Sequence, residues 1–378
     1  MTNRIRVSRR GFLFLTGIGA GRQAFAATGA LKGSSAFSQA SLLASTSSSF
    51  VKIDSNENPY GPSSKALEAM QASFGQSGRY ASNTSELVRA LCNHHGVSGQ
   101  MLDVGYGSSE ILKMAAEAFL QPGKNVITAQ PTYEASSRYG SVYGASTVRV
   151  PLDAQYRHDL RAMRAAVDQS TGMVYICNPN NPTATVVSAE AVKSFVDSLP
   201  PGIPVVIDEA YHHYVDDPSY ASAFALVKQG KPVVVTRTFS KIYGMAGLRL
   251  GYAVGREDLI GEMSSYKIWL NTNTLTVAAA LASLNDREFV EKNRKLNAAA
   301  RKYVEDQVTG MGLGYVPSQA NFLMIDLKRD MSSVNYALRS RGVHAGRPFH
   351  PLNQHLRVTV GTLEEMKRFV EELKTVLR

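Results

Sequence analysis

The sequence has 378 residues, 44% of them hydrophobic, and a formal net charge of +10. These values suit a large folded enzyme, and the two cysteines, Cys92 and Cys177, exclude a disulfide framework. The positive charge does not indicate nucleic-acid binding, because no lysine-rich run or base-stacking platform occurs and residues 1–26 hold five arginines and no acid.

The first 26 residues predict an export signal. The arginine pair Arg9 and Arg10 precedes a short apolar segment, and residues 24–26 (Ala-Phe-Ala) have the small-x-small pattern of a cleavage site. The pair, flanked by a serine and by Phe-Leu, resembles the twin-arginine signal, which the twin-arginine translocase reads as an address. We therefore expect cleavage after Ala26 and a periplasmic protein, or a cytoplasmic one if the leader is not functional.

The rest of the chain predicts an α/β enzyme. Residues 27–50 are rich in Ser, Ala and Gly and predict a flexible linker, and 51–80 predict an N-terminal arm. Residues 81–275 predict a large domain in which strands alternate with helices, which favours a mainly parallel sheet with helices on both faces. Residues 276–378 predict a long helix and a small C-terminal α/β domain. The strand candidates lie at 125–129, 173–177, 204–208, 233–237, 251–254, 320–325 and 355–360.

Polar motifs follow several of these strands, at the position where ligands bind in α/β sheets. The prolines and asparagines at 178–183 make a rigid turn that can hold a side-chain amide still. The Gly and Ser residues at 105–109 begin a predicted helix, whose free N–H groups suit an anion. Asp208 ends one buried strand, and Lys241 follows another. The cleft at these strand ends is therefore the predicted site.

Three of these side chains together match the needs of pyridoxal phosphate. Lys241 can form a Schiff base with its aldehyde, and Asp208 can hold a proton on its pyridine nitrogen. Hydroxyl groups and Arg249 can hold its phosphate. We predict no metal site, since the adjacent His212 and His213 cannot both face one side of a helix or strand.

The chain carries eight motifs that resemble those of one enzyme family. They are Asn-Glu-Asn-Pro-Tyr-Gly at 56–61, Gly-Ser-Ser-Glu at 107–110, Pro-Thr-Tyr at 131–133, Asn-Pro-Asn-Asn-Pro-Thr at 178–183, Asp-Glu-Ala-Tyr at 208–211, Ser-Lys at 240–241, Leu-Arg-Leu-Gly at 248–251 and Leu-Arg-Val-Thr-Val-Gly at 356–361. From about residue 51 to the C-terminus, the chain resembles the fold-type I, class I/II aminotransferases, which use pyridoxal phosphate. Within them it is most similar to histidinol-phosphate aminotransferases.

This resemblance implies a role for each matched residue. Lys241 would carry the cofactor and then act as the base that moves the α-proton. Asp208 would pair with the pyridine nitrogen, and Tyr133 would stack on the ring. Asn181 and Tyr211 would hydrogen-bond the phenolic oxygen, with Tyr211 counted among the catalytic residues. The phosphate would be held by Ser108, Ser109, Thr238, Ser240 and Arg249, and by Tyr80 from the partner subunit of a homodimer.

The same resemblance implies an aminotransferase that moves an amino group from an amino acid or histidinol phosphate to a 2-oxo acid. Arg357 matches the arginine that binds the substrate carboxylate or phosphate. Arg347 matches a second arginine of that pocket, and Tyr60 matches a tyrosine that lines it. Two arginines suit a planar, bidentate anion.

Two departures from the family pattern leave an alternative open. Ala184 stands where many relatives have glycine, and His212 and His213 stand where relatives carry an apolar or acidic pair. A histidine beside the cofactor could change the outcome of the reaction. The alternative is therefore an exported enzyme of the same fold that acts as an amino-acid oxidase or decarboxylase on a specialised substrate.

Overall fold

The computed structural model describes residues 50–378. The predicted export signal and residues 27–49 of the predicted linker lie outside the described residues. None of the helices in the described part of the chain combines the length and hydropathy needed to cross a bilayer.

Strands and helices alternate along the described chain. The strands are β1 (Val51–Ile53), β2 (Leu102–Tyr106), β3 (Asn125–Gln130), β4 (Ser146–Pro151), β5 (Thr171–Cys177), β6 (Val205–Asp208), β7 (Val233–Thr238), β8 (Leu250–Gly255), β9 (Gly314–Val316), β10 (Phe322–Asp326), β11 (Val343–Ala345) and β12 (His355–Thr359). The helices are α1 (Ser64–Ser73), α2 (Thr84–His95), α3 (Ser108–Phe119), α4 (Ala135–Val142), α5 (Leu160–Ala165), α6 (Ala189–Ser198), α7 (Phe224–Lys228), α8 (Glu257–Ser264), α9 (Thr274–Leu284), α10 (Arg287–Gly310), α11 (Met331–Ser340) and α12 (Leu363–Leu377).

A seven-stranded sheet in the order β2-β8-β7-β6-β5-β3-β4 forms the centre of the molecule. Its pairs are parallel except for those that β8 makes with β2 and β7, so β8 alone in this sheet runs against the others. This confirms the predicted α/β class with a mainly parallel sheet. The carboxyl ends of β3, β5, β6 and β7 consequently meet at one edge, to which the chain brings the predicted site motifs.

Both faces of this sheet are buried under helices. On β5, Val174 and Ile176 join an apolar cluster on one face, while Met173 and Tyr175 join a second cluster on the other. Burial on both sides explains why β5 is apolar at successive positions instead of alternating with polar ones. The continuous apolar runs that predicted the strands are therefore a consequence of the two covering layers.

A third apolar cluster lies in the C-terminal part of the chain. Here β12, β10 and β9 form an antiparallel sheet, and β1 pairs in parallel with β11, with Val51 opposite Val343. The N-terminal arm therefore begins in contact with the C-terminal part, and from Asp54 onward it runs along the site. The predicted helical region near 275–310 consists of α9 and α10, and Asp286 between them pairs with Lys65 at 2.9 Å.

Candidate active site

A cleft of about 470 Å³ lies where the central strands end. Most of the predicted site residues line it, although they come from positions more than 200 residues apart. They are Ser108, Ser109, Tyr133, Asn181, Asp208, Tyr211, Thr238, Ser240, Lys241, Arg249, Arg347 and Arg357. Neighbouring parallel strands deliver Asp208 and Thr238 from β6 and β7, and α3 delivers the two serines at its start.

Asp208 is the buried carboxylate of the cleft. Its Oδ1 accepts from the Thr236 hydroxyl at 3.1 Å and from the Ala210 N–H at 3.2 Å, and its Oδ2 accepts from the Tyr175 hydroxyl at 3.1 Å. Burial raises the pKa of Asp208, while the hydrogen bonds from Thr236 and Tyr175 and the charge of Lys241 oppose that rise. The carboxylate is thus oriented by three donors and faces a cationic amine.

Lys241 presents a partly buried amine in the same cleft. Its Nζ donates to the carbonyl oxygens of Asn56, at 2.9 Å, and Ser55, at 3.3 Å, and lies 5.5 Å from the centre of the Tyr211 ring. Burial lowers the pKa of Lys241 to about 8, and the nearby positive charge of Arg357 lowers it further. A lysine tuned in this way is a usable base or nucleophile near neutral pH.

An anion cradle forms at the start of α3. Ser240 and Thr238 hydrogen-bond each other at 2.9 Å, and the guanidinium of Arg249 lies within 3.5 Å of the Ser240 hydroxyl. Gly107 has a φ of +75°, and a Cβ on it would lie 2.3 Å from Arg249 Nη2. Only glycine therefore lets the arginine approach the helix N-terminus, where backbone N–H groups favour a phosphate.

Asn181, Tyr211 and Arg357 form a second group of polar side chains in the cleft. Arg357 Nη1 donates to Asn181 Oδ1 at 2.7 Å, which leaves the Asn181 amide N–H₂ as a donor toward the cleft. The Tyr211 hydroxyl accepts from Asn56 Nδ2 at 3.1 Å, so its own proton remains free for another acceptor. Both residues can thus donate to an oxygen anion.

Arg357 and Arg347 belong to two clefts at once. An outer cleft of about 610 Å³ shares Ser55 and both arginines with the inner one and adds Arg339. Arg357 is buried, donates through Nη2 to the Asp54 carbonyl at 2.5 Å, and has an Nε without a hydrogen-bond partner. The passage between the clefts is therefore positively charged.

The structure does not bring two predicted residues into the cleft. Tyr80 is 78% exposed in a single chain. Tyr60 is partly buried beside Glu365, and its backbone N–H donates to Asn58 Oδ1 at 3.1 Å. Neither lines the inner or the outer cleft.

His212 and His213 do not line the inner or the outer cleft, although they directly follow Tyr211, which lines the inner one. They belong to a 3₁₀ turn, His212–Tyr214, and their rings contact each other with centroids 5.2 Å apart. The expectation that they face opposite sides of a regular element does not apply to this turn. Burial lowers the pKa of His213 to about 3, and the ring of His212 lies 3.1 Å from the Tyr220 hydroxyl.

Sequence reasoning missed several groups that shape the site. Asn56 holds Tyr211 and Lys241, and its backbone N–H donates to Thr359 Oγ1 at 2.8 Å. Glu110 accepts from the Tyr106 and Ile268 N–H groups, at 2.5 and 3.2 Å, and supports the cradle from behind. Asn56 belongs to the sequence motif at 56–61 and Glu110 to the motif at 107–110, and this membership could have identified both residues.

These residues fit pyridoxal phosphate on structural grounds. The cradle has a close glycine–arginine approach, two hydroxyls and a helix N-terminus for a phosphate. The same cleft offers a buried carboxylate for a ring nitrogen, an amine for an aldehyde and two donors for a phenolic oxygen. Arg249, Ser240 and Thr238 would hold the phosphate, and Asp208 and Lys241 the ring and the aldehyde.

Capture of the cofactor is expected to depend on pH. Only a neutral amine attacks an aldehyde, and the pKa of Lys241 is about 8 instead of 10.5. The rate at which apoenzyme takes up added pyridoxal phosphate should therefore rise with pH to about 8 and then level off, as measured by stopped-flow absorbance. A rate that keeps rising to pH 10 would mean an ordinary lysine and contradict the assignment.

Comparisons with known proteins agree with this geometry. Residues 48–373 match the model of the family described as aminotransferase class I and II. The chain is similar to histidinol-phosphate aminotransferase of Moorella thermoacetica, with 39% identity over 331 residues, covering 86% of this chain and 85% of the relative. It is 40% identical over 330 residues to histidinol-phosphate aminotransferase 1 of Nitrosococcus oceani, covering 86% and 89%.

A comparison with a solved structure agrees with this family match. The chain resembles the crystal structure of histidinol-phosphate aminotransferase from Sinorhizobium meliloti in complex with pyridoxal-5'-phosphate. The TM-score is 0.82 at 28% identity, and the match covers 87% of this chain and 91% of that one.

Proposed function

Because the chain belongs to the class I and II aminotransferases, we propose that it moves the amino group of histidinol phosphate, or of a donor with a similar anionic group, to a 2-oxo acid. The enzyme is a pyridoxal phosphate-dependent aminotransferase. The choice of donor rests chiefly on the two arginines, Arg347 and Arg357, that lie between the inner and outer clefts. The names of the relatives support the same donor.

Each side chain has a task in this reaction. Bound pyridoxal phosphate supplies an electron-withdrawing ring that makes the α-proton of the donor labile. Lys241 Nζ accepts that proton from the donor and later gives it back to complete the amino transfer. Its lowered pKa suits both the acceptance and the donation of a proton. Asp208 holds a proton at the ring nitrogen, and the buried Tyr175 and Thr236 keep its carboxylate in place.

Arg347 and Arg357 recognise the substrate. A guanidinium binds a carboxylate or a phosphate through two parallel hydrogen bonds, which a lysine cannot do. Arg357 lies nearer the reacting groups, since it contacts Asn181 at 2.7 Å and influences the pKa of Lys241. Arg347 lies at the mouth and is half-exposed. We assign the donor's phosphate to the two arginines together, with Arg357 on its inner side and Arg347 on its outer side.

The donor is tested by spectra of the purified holoenzyme under anaerobic conditions. Histidinol phosphate should shift the absorbance of the bound cofactor from the pyridoxal to the pyridoxamine form. L-Histidinol, which lacks the phosphate, should do so only at much higher concentration. Equal responses to the two donors would remove the assignment of the phosphate to the two arginines. Release of peroxide or carbon dioxide in place of amino transfer to 2-oxoglutarate would favour the oxidase or decarboxylase alternative.

We further propose a homodimer whose interface includes the segment 266–271. In a single chain, Trp269 is 90% exposed, and Ile268 and Leu270 beside it are exposed as well. The segment is nevertheless anchored, since Glu110 accepts hydrogen bonds from the Ile268 N–H and from Asn271 Nδ2. A fixed, exposed apolar segment beside the cradle favours a protein contact. A second chain would also give the exposed Tyr80 a place near the phosphate.

Replacing Trp269 by glutamate tests this dimer. The charge should convert a dimer to a monomer in analytical ultracentrifugation and weaken the binding of pyridoxal phosphate at least about tenfold, because a buried unpaired carboxylate opposes association. Val142→Glu is the matched control, since Val142 is also exposed but lies on α4. A wild-type protein that sediments as a monomer, or equal effects of the two variants, would remove the interface.

We also propose export to the periplasm through the twin-arginine translocase. That route carries folded proteins, so the cofactor could be inserted before transport. Fractionation of cells should recover a protein cleaved after Ala26 in the periplasm, and R9K/R10K should retain it in the cytosol uncleaved. Exclusively cytosolic protein with an intact N-terminus would overturn export. A periplasmic enzyme would meet donors outside the cytoplasm, and its natural donor there would be an amine that carries an anionic group, as histidinol phosphate does.

A further inference from the structure

An ion pair joins the two walls of the cleft at its mouth. Arg347 Nη2 donates to Glu134 Oε2 at 2.7 Å, and each side chain is 53% exposed. Glu134 directly follows Tyr133, which lines the inner cleft, whereas Arg347 lies between β11 and β12. The pair therefore links the large sheet's edge to the C-terminal part, 213 residues further along the chain.

Contacts that do not involve Glu134 also hold the side chain of Arg347 in position. Its Nη1 donates to the Pro348 carbonyl at 3.1 Å, and its guanidinium lies 4.3 Å from the centre of the Phe349 ring. These contacts fix the plane of the guanidinium, which lines both clefts. Glu134 therefore occupies a hydrogen-bonding edge that an anionic substrate would use.

An anionic substrate can readily replace Glu134 as the partner of Arg347. An ion pair exposed to this degree contributes little to stability, whereas a phosphate forms two charge-assisted hydrogen bonds with a guanidinium. The released Glu134 would remain at the N-cap of α4, where the partial positive charge of the helix favours a carboxylate. Displacement thus leaves neither group buried and unpaired.

We propose that Glu134 is a specificity-determining residue that occupies Arg347 until the phosphate of a donor displaces it. The inference rests on the proposed function, in which Arg347 binds that phosphate. Because Glu134 competes with the phosphate, it lowers the affinity for phosphorylated donors. A donor without a phosphate leaves the pair intact.

The test compares Glu134→Gln, Arg347→Gln and the double variant in the holoenzyme. For histidinol phosphate, E134Q should lower KM about two- to fivefold with kcat unchanged, because a half-exposed pair is worth no more than this. R347Q should raise that KM about tenfold or more, and the double variant should match R347Q alone. KM for L-histidinol should stay unchanged in every variant. Inhibition by inorganic phosphate, measured with any active donor, should tighten in E134Q by the same factor.

Matched controls separate the competing explanations. Glu364→Gln also removes an exposed ion pair from the first turn of a helix, that of Glu364 with Lys367 at 2.7 Å, and should change no KM. If E134Q raises KM for histidinol phosphate, or leaves inhibition by phosphate unaltered, Glu134 is not a competitor and the inference fails. If R347Q treats the two donors alike, the proposed phosphate site at Arg347 fails instead.

Discussion

Replacing Lys241 by alanine is expected to lower the rate of amino transfer about a thousandfold or more, the largest effect of any single substitution proposed for this enzyme. The amine is partly buried and hydrogen-bonded to two carbonyls of the N-terminal arm, and loss of solvation lowers its pKa to about 8. Alanine leaves the donor's α-proton without the base that lies in the cleft. The cradle around Arg249 is untouched, so K241A should still bind pyridoxal phosphate, though without a covalent attachment.

The measurement is the single-turnover rate with each donor, followed by absorbance. Addition of a small primary amine should restore part of the K241A rate, because it can enter the space left by the side chain. Lys65→Ala, which breaks an ion pair with Asp286 away from the cleft, is the control and should keep full activity. If K241A retained a tenth of the wild-type rate, another base would have to be sought.

The sequence predicts the parts of the site that depend on local order. Asp208 and Lys241 follow apolar runs because both faces of the central sheet are buried, and parallel strands bring their ends to one edge. Because buried apolar runs mark the parallel strands and their ends meet at one edge, the position of the cleft can be predicted from the sequence. The structure brings every predicted cofactor residue except Tyr80 to this cleft, together with Arg347 and Arg357, two of the three predicted substrate residues.

Contacts between distant segments could not be predicted in this way. Asn56 reaches Tyr211 across 155 positions, and Glu134 reaches Arg347 across 213. Such pairs depend on how β1 joins β11 and on where the C-terminal part lies against the sheet, which no local pattern encodes. Tyr80 illustrates a second limit, because a residue that acts across a dimer shows only exposure in one chain.

The histidine pair shows a third limit. Residues 212 and 213 were expected to face opposite sides, as in a helix or strand, but the 3₁₀ turn brings their rings into contact. Their aromatic surroundings, including Tyr220 and Tyr243, belong to the layer behind the strand that carries Asp208. This position removes the observation that had favoured an altered reaction outcome.

Replacing Asp208 by asparagine should lower kcat about a hundredfold or more, because the amide cannot hold a proton at the ring nitrogen. Asparagine has the same shape, and its oxygen can still accept from Thr236 and Ala210. Binding of pyridoxal phosphate should therefore fall much less than turnover. Thr236→Val, which removes one of the three hydrogen bonds and keeps the charge, should cost about tenfold at most.

Two readouts distinguish a lost charge from a damaged fold. A raised pKa in the folded state means that burial of the ionised Asp208 destabilises the apoenzyme as pH rises above the unfolded value near 3.8. Apo D208N should thus melt at or above the wild-type Tm at pH 7, as measured by calorimetry. A cofactor analogue methylated at the ring nitrogen carries a fixed positive charge and should restore much of the D208N rate. A lower Tm together with no recovery would show that Asp208 serves the fold, and its assigned role in proton holding would be wrong.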